Sequence, residues 1–359
     1  MNFKYLLIIT FLATTVLSGC KKDDPEPEDT GYSVPSTYSF SNVDYEDAST
    51  RLTMLQKIDS VTSKGTSGLV DATVLKNMFS NTGNPFGQSE LNTSGLQVKD
   101  KAALLGQSEL EKFMDSVALN SKTPVVPASD GVAGVATANS GSEYLLNEYG
   151  VEYRQVLSKA FMGAILLNQI QQHLSDVAIG SSVAKATKAQ NWDMAFGYFG
   201  VPVDFPTNTS GARYLGSYAK NAAIIAVVPY NTIIMNAFLK GRAAIDNDDQ
   251  ATVDAQADII VEKLEELLAA AAIHYMNHSQ TSSIITDAAA RSHALSEGIG
   301  FIYAIKFAGT KISDADADRI VGYLGTNLYD ITADDMTDAR DELSTIYGLD
   351  VVKANLKLK

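Results

Sequence analysis

A histidine and a glutamate stand one helical turn apart near the carboxyl end of the chain. Within the segment 291–301, His293 and Glu297 have the i, i+4 spacing that places both side chains on one face of a helix. Imidazole and carboxylate together can bind a metal ion or move a proton. The alternative is structural, with a hydrogen bond inside the helix and a contact to a neighbouring helix. The sequence leaves both interpretations open.

Small residues continue the same face of this helix. Gly300 and Ala304 follow the pair at helical spacing and would let another helix or a ligand come close. The segment around them carries few charges, so we expect the helix to be mostly buried. A buried carboxylate needs a partner, and Glu297 should therefore have one.

Standard enzyme signatures are missing from the sequence. It contains no His-Glu-x-x-His, no Gly-x-Ser-x-Gly and no Gly-x-x-x-x-Gly-Lys motif. His274 and His278 also have metal-binding spacing, but they fall where a predicted helix ends, and no third ligand is evident. Imidazole at a helix carboxyl terminus is favoured without any metal. A metal ion at His293 and Glu297 is thus the one cofactor that the sequence indicates, and no catalytic residue can be named.

Two further segments concentrate functional side chains. The stretch 191–200 contains the only tryptophan and several other aromatic residues. It is either a short buried helix or a ligand-facing aromatic cluster, in which Trp192, Asp193 and Tyr198 would bind the ligand. On another predicted helix, a stripe of four polar residues is more typical of a solvated, charge-paired face than of paired catalytic carboxylates: Glu148, Glu152, Gln155 and Lys159.

Apolar residues at spacings of three and four predict the elements that must position these side chains. Strand-like alternation is scarce, so the predicted fold class is all-α, a single multi-helix bundle domain. The apolar run 222–239 is expected to be a core helix kinked at Pro229 and not a membrane span, because it contains several polar residues. Helices are predicted over 44–61, 69–80, 101–121, 142–176, 191–199, 215–245, 250–277, 284–309, 313–328 and 332–346.

The amino end has the form of a lipoprotein signal peptide. A short polar start and an apolar run precede Leu17-Ser18-Gly19-Cys20, which resembles the lipobox that is cleaved before a lipidated cysteine. Cys20 is the only cysteine and is the expected lipidation site. The predicted organisation is a signal peptide over 1–19, a flexible acidic tether over 20–40 and a helical domain over 41–359.

Charge limits the partners that the chain can have. The formal net charge is −14, which argues against nucleic acid, since nucleic-acid binding depends on Lys and Arg. The basic and then acidic run 21–29 resembles the surface-export signal of Bacteroidota-type lipoproteins; alternatively, it only keeps the linker solvated. We therefore expect an outer-membrane lipoprotein, exposed on the cell surface or otherwise on the periplasmic face.

Several strings of the mature chain together resemble an uncharacterised-domain family of Bacteroidota lipoproteins, which is distantly similar to the imelysin-like proteins. That resemblance implies a helical, envelope-associated protein linked with the uptake of iron or another metal. The imelysin-like motif is Gly-x-His-x-x-Glu, whereas three residues separate His293 from Glu297 here. The strings are the lipobox, Asn191-Trp192-Asp193-x-Ala195-Phe196-Gly197-Tyr198-Phe199-Gly200, Tyr230-Asn231-Thr232 and His293-Ala294-Leu295-Ser296-Glu297-Gly298.

Three functions are compatible with these observations. The first is a non-enzymatic, lipid-anchored helical binding protein of the cell envelope, with a metal ion or a small nutrient as its ligand. The second is a metal-dependent hydrolase or peptidase of imelysin-like type that uses His293 and Glu297. The third is a nutrient-capture lipoprotein that partners an outer-membrane transporter, although no internal repeat supports the usual scaffold of that class.

Overall fold

The chain folds mainly into α-helices, which confirms the predicted all-α class. A computed structural model describes residues 31–122 and 126–355. A π-helical turn, Met162–Leu167, joins the fifth helix to the sixth. In chain order the helices are α1 (Glu46–Thr62), α2 (Ala72–Ser80), α3 (Ser89–Asn92), α4 (Leu104–Asn120), α5 (Tyr153–Phe161), α6 (Asn168–His173), α7 (Asp176–Ile179), α8 (Lys185–Phe199), α9 (Leu215–Ala219), α10 (Ala222–Ile225), α11 (Tyr230–Asp246), α12 (Gln250–Ser279), α13 (Ala288–Ala308), α14 (Asp314–Tyr323), α15 (Ala333–Tyr347) and α16 (Asp350–Asn355).

The core is built around the two longest helices, α12 and α13. Helix α12 packs against α11 on one side and α13 on another, and α13 packs in turn against α5. Every residue of 264–274 is buried, as expected of a helix that neighbouring helices surround. Within the described ranges, no helix combines the length and the apolar character that crossing a bilayer requires.

A β-hairpin stands where the sequence predicts the start of a helix over 142–176. Strands β1 (Gly134–Thr137) and β2 (Glu143–Leu146) pair antiparallel, and α5 begins only at Tyr153. The Asn147 side chain accepts hydrogen bonds from two backbone amides of the following turn, and Gly150 has φ +80°. This side-chain turn competes with helix formation, and the predicted helix start was therefore wrong.

The predicted helix 215–245 is divided into α9, α10 and α11. The Asn221 side chain accepts hydrogen bonds from the amides of Ala223 and Ile224 and so starts α10 afresh. Pro229 directly precedes α11, where its missing N–H costs nothing. The expected kink at Pro229 is thus a helix start.

Candidate binding site

The predicted pair, His293 and Glu297, lies in a polar cluster where α13 meets α5. His293 Nδ1 is 2.6 Å from Glu152 Oε2, and His293 Nε2 is 3.8 Å from Glu297 Oε2. The other oxygen of Glu297, Oε1, is 2.8 Å from Lys159 Nζ. The side chain of His293 keeps 24% of its surface exposed, whereas Glu152 and Glu297 are buried. The cluster therefore meets solvent at the histidine.

Small residues on α13 allow α5 to approach closely. A Cβ atom at Gly300 would lie 2.8 Å from the Cβ of Lys159 and 2.8 Å from the Val156 carbonyl oxygen. From the other side, a Cβ at Gly163 in the π-helical turn would lie 1.8 Å from the Ala304 carbonyl oxygen. The sequence allowed either a helix or a ligand beside this face, and the structure places a helix there.

Ser296 fixes the start of α5 and with it the position of Glu152. The Ser296 hydroxyl donates to the Ser292 carbonyl at 2.7 Å and accepts a hydrogen bond from the Glu152 amide at 2.8 Å. Glu152 immediately precedes α5, so its side chain is oriented by a helix end that α13 holds in place. The 2.6 Å contact between His293 and Glu152 is therefore stabilised by the hydrogen bond that Ser296 of α13 makes to the Glu152 amide.

Glu297 remains ionised because charged groups offset its burial. Burial by itself would raise the pKa of the carboxyl group, but the charges of Lys159 and His293 and hydrogen bonds from Lys159 and Tyr275 hold it below its usual value. Tyr275 also contacts the Tyr218 hydroxyl, at 3.0 Å between the two oxygens. Glu297 thus has the partner that the sequence led us to expect.

His274 and His278 lie on α12, close to the cluster. Burial and the neighbouring His278 lower the pKa of His274 to about 4, while Glu297 opposes the shift. Burial also lowers the pKa of His278. Both rings are neutral at neutral pH, and neither Nδ1 atom has a hydrogen-bond partner among the described residues.

Three of the four residues in the stripe that the sequence suggested to be solvated are instead buried, whereas Glu148 precedes α5 and is only partly buried. Glu152, Gln155 and Lys159 are each less than a tenth exposed, and Lys159 Nζ lies 2.8 Å from Gln155 Oε1. Helical spacing groups these residues correctly but cannot tell a solvated face from one that a second helix covers. Sequence reasoning also missed Tyr144, whose ring stacks on His293 with centroids 4.2 Å apart.

The three predicted ligand-binding residues of α8 have different environments. Trp192 is fully buried and donates to the Phe238 carbonyl at 3.0 Å. Asp193 accepts hydrogen bonds from Tyr38 at 2.7 Å and from Arg242 at 3.1 Å, in a buried ion pair. Tyr198 lines a cavity, and its buried hydroxyl lies beside Arg51.

The donor atoms of this cluster suit a metal ion only in part. Metal-to-ligand distances to imidazole nitrogen and carboxylate oxygen are about 2.0–2.2 Å, so His293 Nε2 and Glu297 Oε2 are close enough to share one ion. Glu152 at Nδ1 is the partner that metal-binding histidines usually have. Among the described residues, however, no three His, Cys, Asp or Glu side chains are arranged to hold a metal ion. The cluster fits an exchangeable ion that keeps water ligands and does not fit a fully protein-enclosed structural metal.

The fold and this cluster define an all-α protein with a polar, histidine-centred site between two core helices. The chain belongs to the family described as Domain of unknown function (DUF4856), whose model matches residues 35–315. No curated protein and no solved structure matches the chain. The predicted lipidation site, Cys20, and the signal peptide lie outside the described residues.

Proposed function

We propose that this protein is a lipid-anchored helical binding protein of the cell envelope, whose cargo is a divalent transition-metal ion. The observation that carries the proposal is the 3.8 Å separation of His293 Nε2 from Glu297 Oε2, with Glu152 at Nδ1. With Nδ1 engaged by Glu152, Nε2 is the ring nitrogen that faces Glu297 and would bind the ion. One imidazole and one carboxylate suit several first-row metals.

Two protein donors favour reversible capture over permanent retention. Lys159 holds one oxygen of Glu297 at 2.8 Å and competes with a cation for the same carboxylate. The remaining ligands of the ion would be water, which exchanges readily. Such a site can pass its cargo on, and the resemblance to imelysin-like proteins, which are linked with metal uptake, supports this use.

Binding is favoured over the alternative, a metal-dependent hydrolase. A hydrolase needs a carboxylate or imidazole that is free to take a proton from the attacking water. Here Glu152 is engaged by His293 and Glu297 by Lys159, so both carboxylates already have partners. A protease assay with unfolded casein should accordingly show no zinc-dependent cleavage by the purified protein.

The envelope location is part of the proposal. The lipobox ending at Cys20 supports outer-membrane attachment through a lipid, and the run 21–29 supports display on the cell surface. A captured ion would then be handed to an outer-membrane transporter. Mass spectrometry of the natural protein should find a diacylated amino-terminal Cys20, and protease added to intact cells should remove the helical domain. An unmodified Cys20, or a cytoplasmic chain, would contradict this part.

Zinc titration of the detergent-solubilised full chain tests the site. We expect one Zn²⁺ per chain by calorimetry, at least tenfold weaker binding in His293→Ala and Glu297→Gln, and none of this loss in His173→Ala. His173 is a suitable control because its imidazole bonds to Asn191 and lies outside the cluster. Zinc binding that survives unchanged in folded His293→Ala protein would exclude the proposed site.

A further inference from the structure

A second polar cavity lies between α1, the turn before α4, α6 and α8. Its volume is about 360 Å³, which is within the range of small-molecule sites. Four of the residues that line it are Arg51, Lys101, His173 and Tyr198. None of these four belongs to the cluster around His293, so this cavity is separate from the proposed metal site.

Cationic and hydroxyl donors face one part of this cavity. Arg51 is only 6% exposed, and its Nε donates to the Gln97 carbonyl at 3.0 Å. The Tyr198 hydroxyl is buried beside the guanidinium group of Arg51. Burial raises the pKa of Tyr198 to about 12, against the opposing effect of the Arg51 charge. The phenol therefore stays protonated and can donate.

The neighbouring imidazole supplies an acceptor. Asn191 Nδ2 donates to the carbonyls of Ala178 and Thr187, so Asn191 Oδ1 is the acceptor in its 2.8 Å contact with His173 Nδ1. Burial and the charges of Lys101 and Arg51 lower the pKa of His173, while the bond to Asn191 raises it. The neutral ring consequently carries its proton on Nδ1 and a lone pair on Nε2.

Two acidic groups accompany these cations. Asp47 Oδ2 is 3.6 Å from Arg51 Nη1, and Asp100 Oδ2 is 3.4 Å from Lys101 Nζ. Their side chains are 57% and 43% exposed, so solvent screens both carboxylates. Asp47 also lines the cavity and offsets part of the charge of the buried Arg51. Lys101 supplies a second cation, so the Arg51 and Lys101 side of the cavity can still attract an anion.

We propose that this cavity binds a small hydroxycarboxylate. The carboxylate would lie against Arg51, Lys101 and Tyr198, because guanidinium and ammonium groups form strong charge-assisted hydrogen bonds with carboxylates. The ligand hydroxyl would donate to His173 Nε2. An inorganic anion such as phosphate matches this wall less well, since it offers mainly acceptor oxygens to an imidazole that is itself an acceptor.

Calorimetric titration of the full chain with L-malate tests the proposal. We expect malate to bind more tightly than succinate, which lacks the hydroxyl group, and more tightly than phosphate. Lys101→Met should weaken malate binding about tenfold, since it removes one charge-assisted contact. Lys99→Met is the matched control: Lys99 shares the same 3₁₀ turn, Lys99–Lys101, but pairs with Glu111 outside the cavity.

A tyrosine pair gives an independent comparison. Tyr198→Phe should weaken malate binding, whereas Tyr230→Phe should not, although both tyrosines are fully buried and only Tyr198 lines the cavity. Equal binding of malate and succinate, no binding of malate, or equal effects of the two lysine variants would overturn the proposal. His293→Ala should leave malate binding intact, so failure of this site and failure of the metal site are distinguishable.

Discussion

Acidification should unfold this protein partly through one buried histidine, His274. His274 lies on α12 and is 6% exposed, and its Nδ1 has no hydrogen-bond partner among the described residues. Burial and the charge of His278 lower the pKa of His274 to about 4, while Glu297 acts in the opposite direction. The folded state therefore resists a proton that the unfolded chain accepts.

The magnitude follows from the two pKa values. An exposed histidine has a pKa of about 6.5, and burial lowers the pKa of His274 to about 4. Between these values the unfolded state binds more protons, so the stabilisation is complete above pH 6.5 and is lost as the pH falls towards 4. The full loss is about 3 kcal/mol, and about 2 kcal/mol of it occurs between pH 7 and pH 5.

Urea unfolding of the wild type and of His274→Gln at several pH values between 7 and 4.5 measures this contribution. The difference in the free energy of unfolding between the two proteins should change by about 2 kcal/mol from pH 7 to pH 5. Met276→Leu, a buried and non-titrating change on the same helix, should shift stability equally at every pH. A wild-type-minus-His274→Gln difference that does not vary with pH would refute the reasoning.

Three further substitutions test the packing that positions the sites, each by urea or thermal unfolding. Glu265→Ala should cost at least about 3 kcal/mol, because this fully buried carboxylate accepts four hydrogen bonds, and a loss below 1 kcal/mol would contradict its role. Gly241→Ala should cost about 3 kcal/mol, since its Cβ would lie 2.0 Å from Cζ2 of Trp192, and unchanged stability would show that the two helices can separate freely. Tyr38→Phe should cost about 2 kcal/mol by removing the 2.7 Å hydrogen bond to Asp193, and no change would mean that this bond does not hold the amino-terminal segment.

The sequence predicted those features that depend on residues close together in the chain. The apolar spacing located most helices, and the His293 and Glu297 spacing placed both side chains on the same face of α13. Helix starts depend on local chemistry as well: the side chains of Asp249 and Ser313 accept hydrogen bonds at the starts of α12 and α14. The hairpin before α5 was missed because β2 is held by its pairing with β1, and the Asn147 turn after β2 delays the start of α5.

Tertiary partners could not be predicted in the same way. His293 bonds to Glu152, which lies 141 residues earlier in the chain, and no periodicity connects the two. Lys159 belongs to a stripe that is typical of a solvated face, yet α13 covers it. The sequence left Asp193 either in a buried helix or in a ligand-facing cluster. Its partners come from distant segments: it forms a buried ion pair with Arg242 and accepts a hydrogen bond from Tyr38.

The close packing of α5 on α13 restricts how a ligand can reach the cluster. The small-residue face at Gly300 is filled by the α5 backbone, so it offers no space for a ligand. Glu152 and Glu297 are buried, and the exposed part of the cluster is His293. Tyr144 of β2 stacks on that ring at 4.2 Å and shields one of its faces. Access to His293 therefore depends on the hairpin as well as on the helices, and in the proposed metal site a displaced Tyr144 would change the rate of metal exchange more than the affinity.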